Sequence, residues 1–129
     1  MRHAPGMKID EAAVRIARPC TDLAAAERFY VRGLGLAELF RKPDLLMVGA
    51  PAASWHLELV AGDVRPAPTE EDLLVLYLGE PIDPALVQRL VEHGGTVLQQ
   101  GDYWDRWGVT VQDPDGYRLV LSTRVWSND

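Results

Sequence analysis

The sequence predicts an α+β fold of two tandem βαβββ units, their strands forming a curled mixed sheet with a concave cleft. Three observations predict it. Period-two strand patterns and a helical stripe occur in the same order twice. Caps, stops and strand positions of the two runs coincide under one nearly constant shift. Each run holds a single helix, which can cover only one face of its strands and leaves the other face free to bind.

The elements follow in order. Residues 1–11, with no apolar run behind their charges, read as a flexible N-terminal arm and not as a secretory signal. The first unit spans 12–61. Val14 and Ile16 share one phase of a strand over 12–19. "TDLAAAERFYVRGLG" then opens a helix, with Thr21 or Asp22 as N-cap and a stripe of Leu23, Ala26 and Tyr30. Gly33 or Gly35 supplies its left-handed stop. "LAELFR", "LLMVG" and "WHLELV" are short strands separated by Lys42-Pro43-Asp44 and Gly49-Ala50-Pro51 turns.

Residues 62–72, rich in breakers and acids, form a linker. The second unit spans 73–123. "LLVLYL" is its first strand, and Asp83-Pro84 starts a helix with the cap followed by proline. Leu86 and Leu90 share a face of that helix. "TVLQQ", "WGVTVQ" and "YRLVLS" are strands, with the tight turn "DPDG" before the last and a polar tail over 124–129. The segment "QQGDYWDRWG" between two of these strands reads as an aromatic loop.

The repeat is specific. Asp22 and Asp83, like Gly33 and Gly94, lie 61 residues apart. Trp55 and Tyr117, Leu57 and Leu119, and Leu59 and Leu121 lie 62 apart. Agreement of a cap, a stop and three alternating strand positions marks an internal repeat.

Composition excludes several classes. A net charge of −6 and no basic stripe set nucleic-acid binding aside. No apolar run reaches the ~20 residues of a spanning helix, so no membrane partner is expected. The lone Cys20 suits a reducing cytoplasm and reads as a packing residue rather than a nucleophile. "GLGL" falls at a helix end, not at its start, and is no dinucleotide fingerprint.

The chemistry concentrates in "WHLELV". Alternation places His56 and Glu58 on one face and Trp55, Leu57 and Leu59 on the other. A neighbouring His and Glu could supply half of a metal site. A second cluster is aromatic. Tyr103, Trp104 and Trp107 flank Asp105 and Arg106 and offer either plugs for packing or a stacking wall for a flat ligand. Tyr77 shares a strand phase with Leu73 and Val75, and Trp126 in the tail suits an interface anchor.

The element order, the repeat, "TDLAAAERFYVRGLGL" and "DPDGYRLVLS" together resemble the vicinal oxygen chelate superfamily, the glyoxalase/bleomycin-resistance fold, over about residues 13–123. The resemblance implies four cavity-facing strand positions which, in the family's enzymes, hold one divalent metal. Carried over, they fall on Arg15, Glu58, Leu73 and Val120, so one ligand of four remains. Arg15 brings a fixed positive charge to a cation's place, and Leu73 and Val120 cannot coordinate. His56 and Asp72 are the residues that would have to rebuild a site. No cofactor or metal is therefore expected, and Arg15 is the expected partner of Glu58 in a bidentate pair.

The expectation for function is a metal-free small-molecule binding protein similar to the bleomycin-resistance branch, a homodimer sequestering an antibiotic-like or planar aromatic compound. Its expected ligand-binding residues are Arg15, His56, Glu58, Tyr77, Tyr103, Trp104, Trp107 and Val120. The alternative is a metal-dependent or acid/base enzyme of the same superfamily using Glu58 and His56.

Overall fold

The computed structural model describes residues 6–129. Residues 1–5 of the expected arm lie outside them, and Ile9–Glu11 makes one exposed 3-10 turn.

Strand β1 (Val14–Pro19) leads into helix α1 (Leu23–Glu27), where the Asp22 carboxylate accepts the Ala24 N–H and caps the first turn. The helical stretch runs on to Gly33. It widens into a π-helical turn over Arg28–Gly33, and Leu34 N–H donates to Phe29 O. Gly35 takes the left-handed conformation (φ 92°), whereas Gly33 is small because a Cβ there would stand 3.3 Å from Leu90. Strands β2 (Ala37–Lys42), β3 (Leu45–Gly49) and β4 (Trp55–Val60) complete the unit.

The second unit repeats the order with β5 (Leu73–Tyr77), α2 (Pro84–Glu92), β6 (Thr96–Leu98), β7 (Gly108–Gln112) and β8 (Arg118–Ser122). One element differs from expectation. The aromatic segment is not a loop but a helix, α3 (Asp102–Trp107), entered through Gly101 at φ 111°. The Asp105 carboxylate holds it by accepting the Gln100 N–H.

The two four-stranded sheets have matching orders, β1-β4-β3-β2 and β5-β8-β7-β6. In each, the first strand runs parallel to the last and the remaining pairs are antiparallel. One face of each sheet packs into a shared core of Leu46, Val48, Leu57 and Leu59 from the first, Leu74, Val111, Leu119 and Leu121 from the second, and Ala26, Phe29, Tyr30 and Leu90 from the helices. At ~1.5–3 kcal/mol for each fully buried large apolar side chain, this continuous cluster is the main force joining the units.

A polar clamp reinforces the joint. Asp113, first residue of the "DPDG" turn, accepts N–H bonds from Asp115 and Tyr117 at Oδ1 and the Tyr30 hydroxyl, at 2.6 Å, at Oδ2. Arg18 donates to the same hydroxyl and to the Asp72 carbonyl, and its guanidinium lies 4.8 Å from the centre of the Tyr117 ring. Burial pushes the Asp113 carboxyl up from its ordinary range and the Tyr30 phenol well above its own. The two motifs that carry the family resemblance meet here, which gives them a structural role in seating one unit on the other.

Candidate functional site: the free faces of the two sheets

The free face of the first sheet follows from strand register. Arg15 pairs with His56 and Ala17 with Glu58 across β1 and β4, while Met47 of β3 lies beside Glu58. These side chains therefore point away from Leu57 and Leu59, which fill the core. Arg15 reaches diagonally to Glu58 and donates from Nε to Oε2 at 2.6 Å and from Nη2 to Oε1 at 3.0 Å. The Arg15 side chain is 55% exposed and that of Glu58 11%, so the pair has a buried carboxylate and an accessible guanidinium. The hydrogen-bonded guanidinium holds the Glu58 carboxyl below its ordinary range, against the upward push of burial.

His56 completes the polar group. Its Nε2 stands 3.7 Å from Glu58 Oε2, too long for a hydrogen bond, and has no other partner. Next to the group lies a hollow of ≈ 290 Å³ lined by Ala17, Pro19, Val60 and Val64.

The free face of the second sheet has the same register and a different character. Leu73 pairs with Arg118, Val75 with Val120, and Tyr77 with Ser122. By position Arg15 thus corresponds to Leu73, His56 to Arg118 and Glu58 to Val120. Val120 faces away from the core, yet it is 0% exposed. Helix α3 runs directly into β7 and contacts β7 and β8. Its last carbonyl, on Trp107, accepts both the N–H and the hydroxyl of Thr123.

The aromatic residues divide by role. Tyr103 and Trp104 meet edge to face, their ring centres 5.0 Å apart, with Tyr103 exposed. Trp107 is less free, because the guanidinium groups of Arg106 and Arg124 lie 5.1 and 4.6 Å from its ring centre. Tyr77 stacks on Trp126 of the tail at 6.0 Å.

The sequence pointed to one cleft holding all eight residues. The structure brings Arg15, His56 and Glu58 together on one face, and Tyr77, Val120 and the α3 aromatics belong to the other unit. Among the described residues no hydrogen bond, ion pair or ring contact joins the two groups.

Several residues escaped sequence reasoning. Arg118 donates to Gln100 Oε1 at 2.6 Å on the second free face, and only its alignment with His56 in the repeat signals it. Arg18, on the core side of β1, reads in sequence like any solvated arginine. Thr110, paired with Val120, carries a buried hydroxyl without a partner, which nothing local announces. Cys20 is buried, and burial raises its thiol pKa to about 11, which makes it a poor nucleophile.

The residues do not fit a divalent metal of the kind the fold family's enzymes hold. Glu58 is taken up by Arg15, and two of the other three positions are aliphatic. Among the described residues no three His, Cys, Asp or Glu side chains stand together as a ligand set. The Asp72 carboxylate, one of the two groups that would have to rebuild a site, accepts the Thr69 N–H in its own loop.

Comparison with known proteins agrees with this architecture. Residues 14–60 match the model of the YycE-like N-terminal domain, and residues 71–123 that of the YycE-like C-terminal domain. The YycE protein of Bacillus subtilis (strain 168) is 36% identical over 120 residues, covering 85% of this chain and 86% of its own. Its crystal structure, described as that of a protein of unknown function, superposes with a TM-score of 0.76 at 32% identity, over 92% of this chain and 93% of that one. A glyoxalase-related enzyme from Fulvimarina pelagi gives 0.66 at 27% identity, over 84% and 85% of the two chains. TnmS3, an antibiotic binding protein from Streptomyces sp. CB03234, gives 0.58 at 27% identity, over 90% and 97%.

Proposed function

This chain belongs to the YycE-like family and carries the vicinal oxygen chelate fold, and on that premise we propose that it binds a small organic molecule without a metal and releases it unchanged. The observation that carries the proposal is the Arg15–Glu58 fork. The carboxylate with which the fold would ligate a metal is instead neutralised by a guanidinium, whose exposed side can meet a polar group of a ligand. The antibiotic-binding relative of similar fold supports the choice of ligand class, a partly planar, polar-decorated compound.

The two groups of candidate residues are brought together in a homodimer. The first sheet's free face is open, with Arg15, Ala17 and Phe40 exposed. The aromatic group of a second copy would close it, giving a pocket with a polar end at Arg15, His56 and Glu58 and an aromatic wall at Tyr77, Tyr103 and Trp104. Val120 and Trp107 support that wall. The single cysteine supports a reducing cytoplasm as its location.

The test is a titration of the intact protein with a panel of planar natural products, followed by tryptophan fluorescence and melting temperature. Quenching and a raised melting temperature, with the compound recovered chemically intact, are expected. A panel that moves neither signal overturns the proposal. A compound that binds and returns altered establishes the rival reading, in which His56 and Glu58 act as acid and base on the ligand; their place on one face and the glyoxalase-related relative favour it as the alternative.

A further inference from the structure

Buried polar groups are almost always paired, and an exception in a folded core calls for a cause. Among the described residues two buried side-chain atoms lack a partner, His56 Nε2 and Thr110 Oγ1. Both sit on the free faces of the sheets, one in each unit. Thr110 is the more telling, since the whole residue is 1% exposed. Its neighbours Val109 and Val111 pack with the core, so its side chain points the other way, to the face that carries Val120. It pairs with Val120, just as Met47 pairs with Glu58 in the first unit. The hydroxyl therefore occupies the row that carries the carboxylate in the other half.

Resting on the small-molecule binding proposed above, we infer that Thr110 is a specificity-determining residue whose hydroxyl donates a hydrogen bond to a ring-borne oxygen of the ligand, and that α3 shifts to admit it. Thr110 and Val120 are both buried in this row, and α3 contacts the two strands that carry them. The helix is six residues long and joined to the preceding strand through Gly101 in a left-handed conformation. A short element so connected opens at lower cost than a core strand. Once the flat ring lies against Val120 and Val75, the unpaired hydroxyl gains the partner it lacks. A ring without oxygen would bury the same area and leave the hydroxyl alone, and this difference is the source of discrimination.

The experiment uses two probes of equal shape, 2-naphthol and 2-methylnaphthalene, with affinities read by equilibrium dialysis. Wild type should bind 2-naphthol about tenfold more tightly, the worth of one buried hydrogen bond. Thr110→Val keeps the shape and removes the hydroxyl. It should melt no lower than wild type, since an unpaired buried group is gone, and should bind the two probes equally. Thr110→Ser should restore the preference. Equal binding of both probes by wild type, or an undiminished preference in Thr110→Val, overturns the inference and leaves the small-molecule function standing. Binding of neither probe by a protein that also ignores the natural-product panel overturns both.

Discussion

Arg15 and Glu58 hold each other by two parallel hydrogen bonds, 2.6 and 3.0 Å long, although they are not register partners across β1 and β4. The diagonal reach leaves His56, the true partner of Arg15, beside the pair with Nε2 unpaired. This relationship decides the chemistry of the face, because a carboxylate held by a guanidinium is neither a free metal ligand nor a strong base.

The pair should make stability depend on pH in one direction. Glu58 has its folded-state pKa lowered, chiefly by the Arg15 hydrogen bond. Its contribution is complete above the ordinary glutamate pKa, ~4.3, and is lost as pH falls through the lower folded value. Glu58→Gln should therefore melt below wild type at pH 7, with the gap narrowing in acid. Asp113 runs the opposite way: burial raises its pKa, so its charge costs stability above the raised value and the cost disappears on acidification. Melting curves of wild type, Glu58→Gln and Asp113→Asn from pH 3 to 7 would separate the two signs. A gap for Glu58→Gln that stays constant across the range would contradict the assignment.

Metal should not bind stoichiometrically at the Arg15–Glu58 position. Protein refolded with zinc, nickel, manganese and iron and then desalted should hold well under one equivalent by elemental analysis. A one-to-one metal that disappears in Glu58→Gln would show that Arg15 can yield its place.

The aromatics should separate in mutagenesis. Trp104→Ala removes a candidate stacking partner and should weaken ligand binding about two- to twelvefold, the range of one good aromatic pair, with little change in melting temperature. Trp107→Ala removes the ring on which the Arg106 and Arg124 guanidiniums pack and should lower the melting temperature first. Equal melting temperatures for the two variants would mean that Trp107 is not a support.

The joint between the units should be sensitive to one oxygen atom. Tyr30→Phe leaves Asp113 Oδ2 and an Arg18 nitrogen without their buried partner. A loss of about 1–3 kcal/mol in denaturant unfolding is expected. An unchanged midpoint would mean that water replaces the hydroxyl.

The pocket should need two copies. Light scattering at micromolar protein should give twice the chain mass, and Ala17→Glu on the open face should reduce both dimer and ligand binding. A wild-type monomer that binds the natural-product panel fully would remove the second copy from the site.

Much of this was legible in the sequence because it is local. Strand alternation put His56 and Glu58 on one face, the family resemblance added Arg15 to it, and caps and turns, short-range by nature, revealed the repeat and with it the fold. What resisted was the segment from Asp102 to Trp107. It has no cap residue, few strong helix formers and only six residues, so its helicity comes from packing on β7 and β8 and not from propensity. The π-turn over Arg28–Gly33 is of the same kind, a widening with no local signal in the helix stripe.

By itself, then, the sequence determined which side chains share a face, since that depends on a period of two along each strand. It also showed that three of the four metal positions implied by the family resemblance, Arg15, Leu73 and Val120, hold residues that do not ligate a cation, since that is a matter of residue type. Only the tertiary structure decided that Val120 and Thr110 are buried on one free face while Arg15 and Ala17 are exposed on the other, that Tyr30 and Asp113 clamp the units, and that Thr110 is left without a partner. Those outcomes depend on groups tens of residues apart meeting in space, and a hydroxyl is satisfied or orphaned according to what another segment brings within ~3 Å of it.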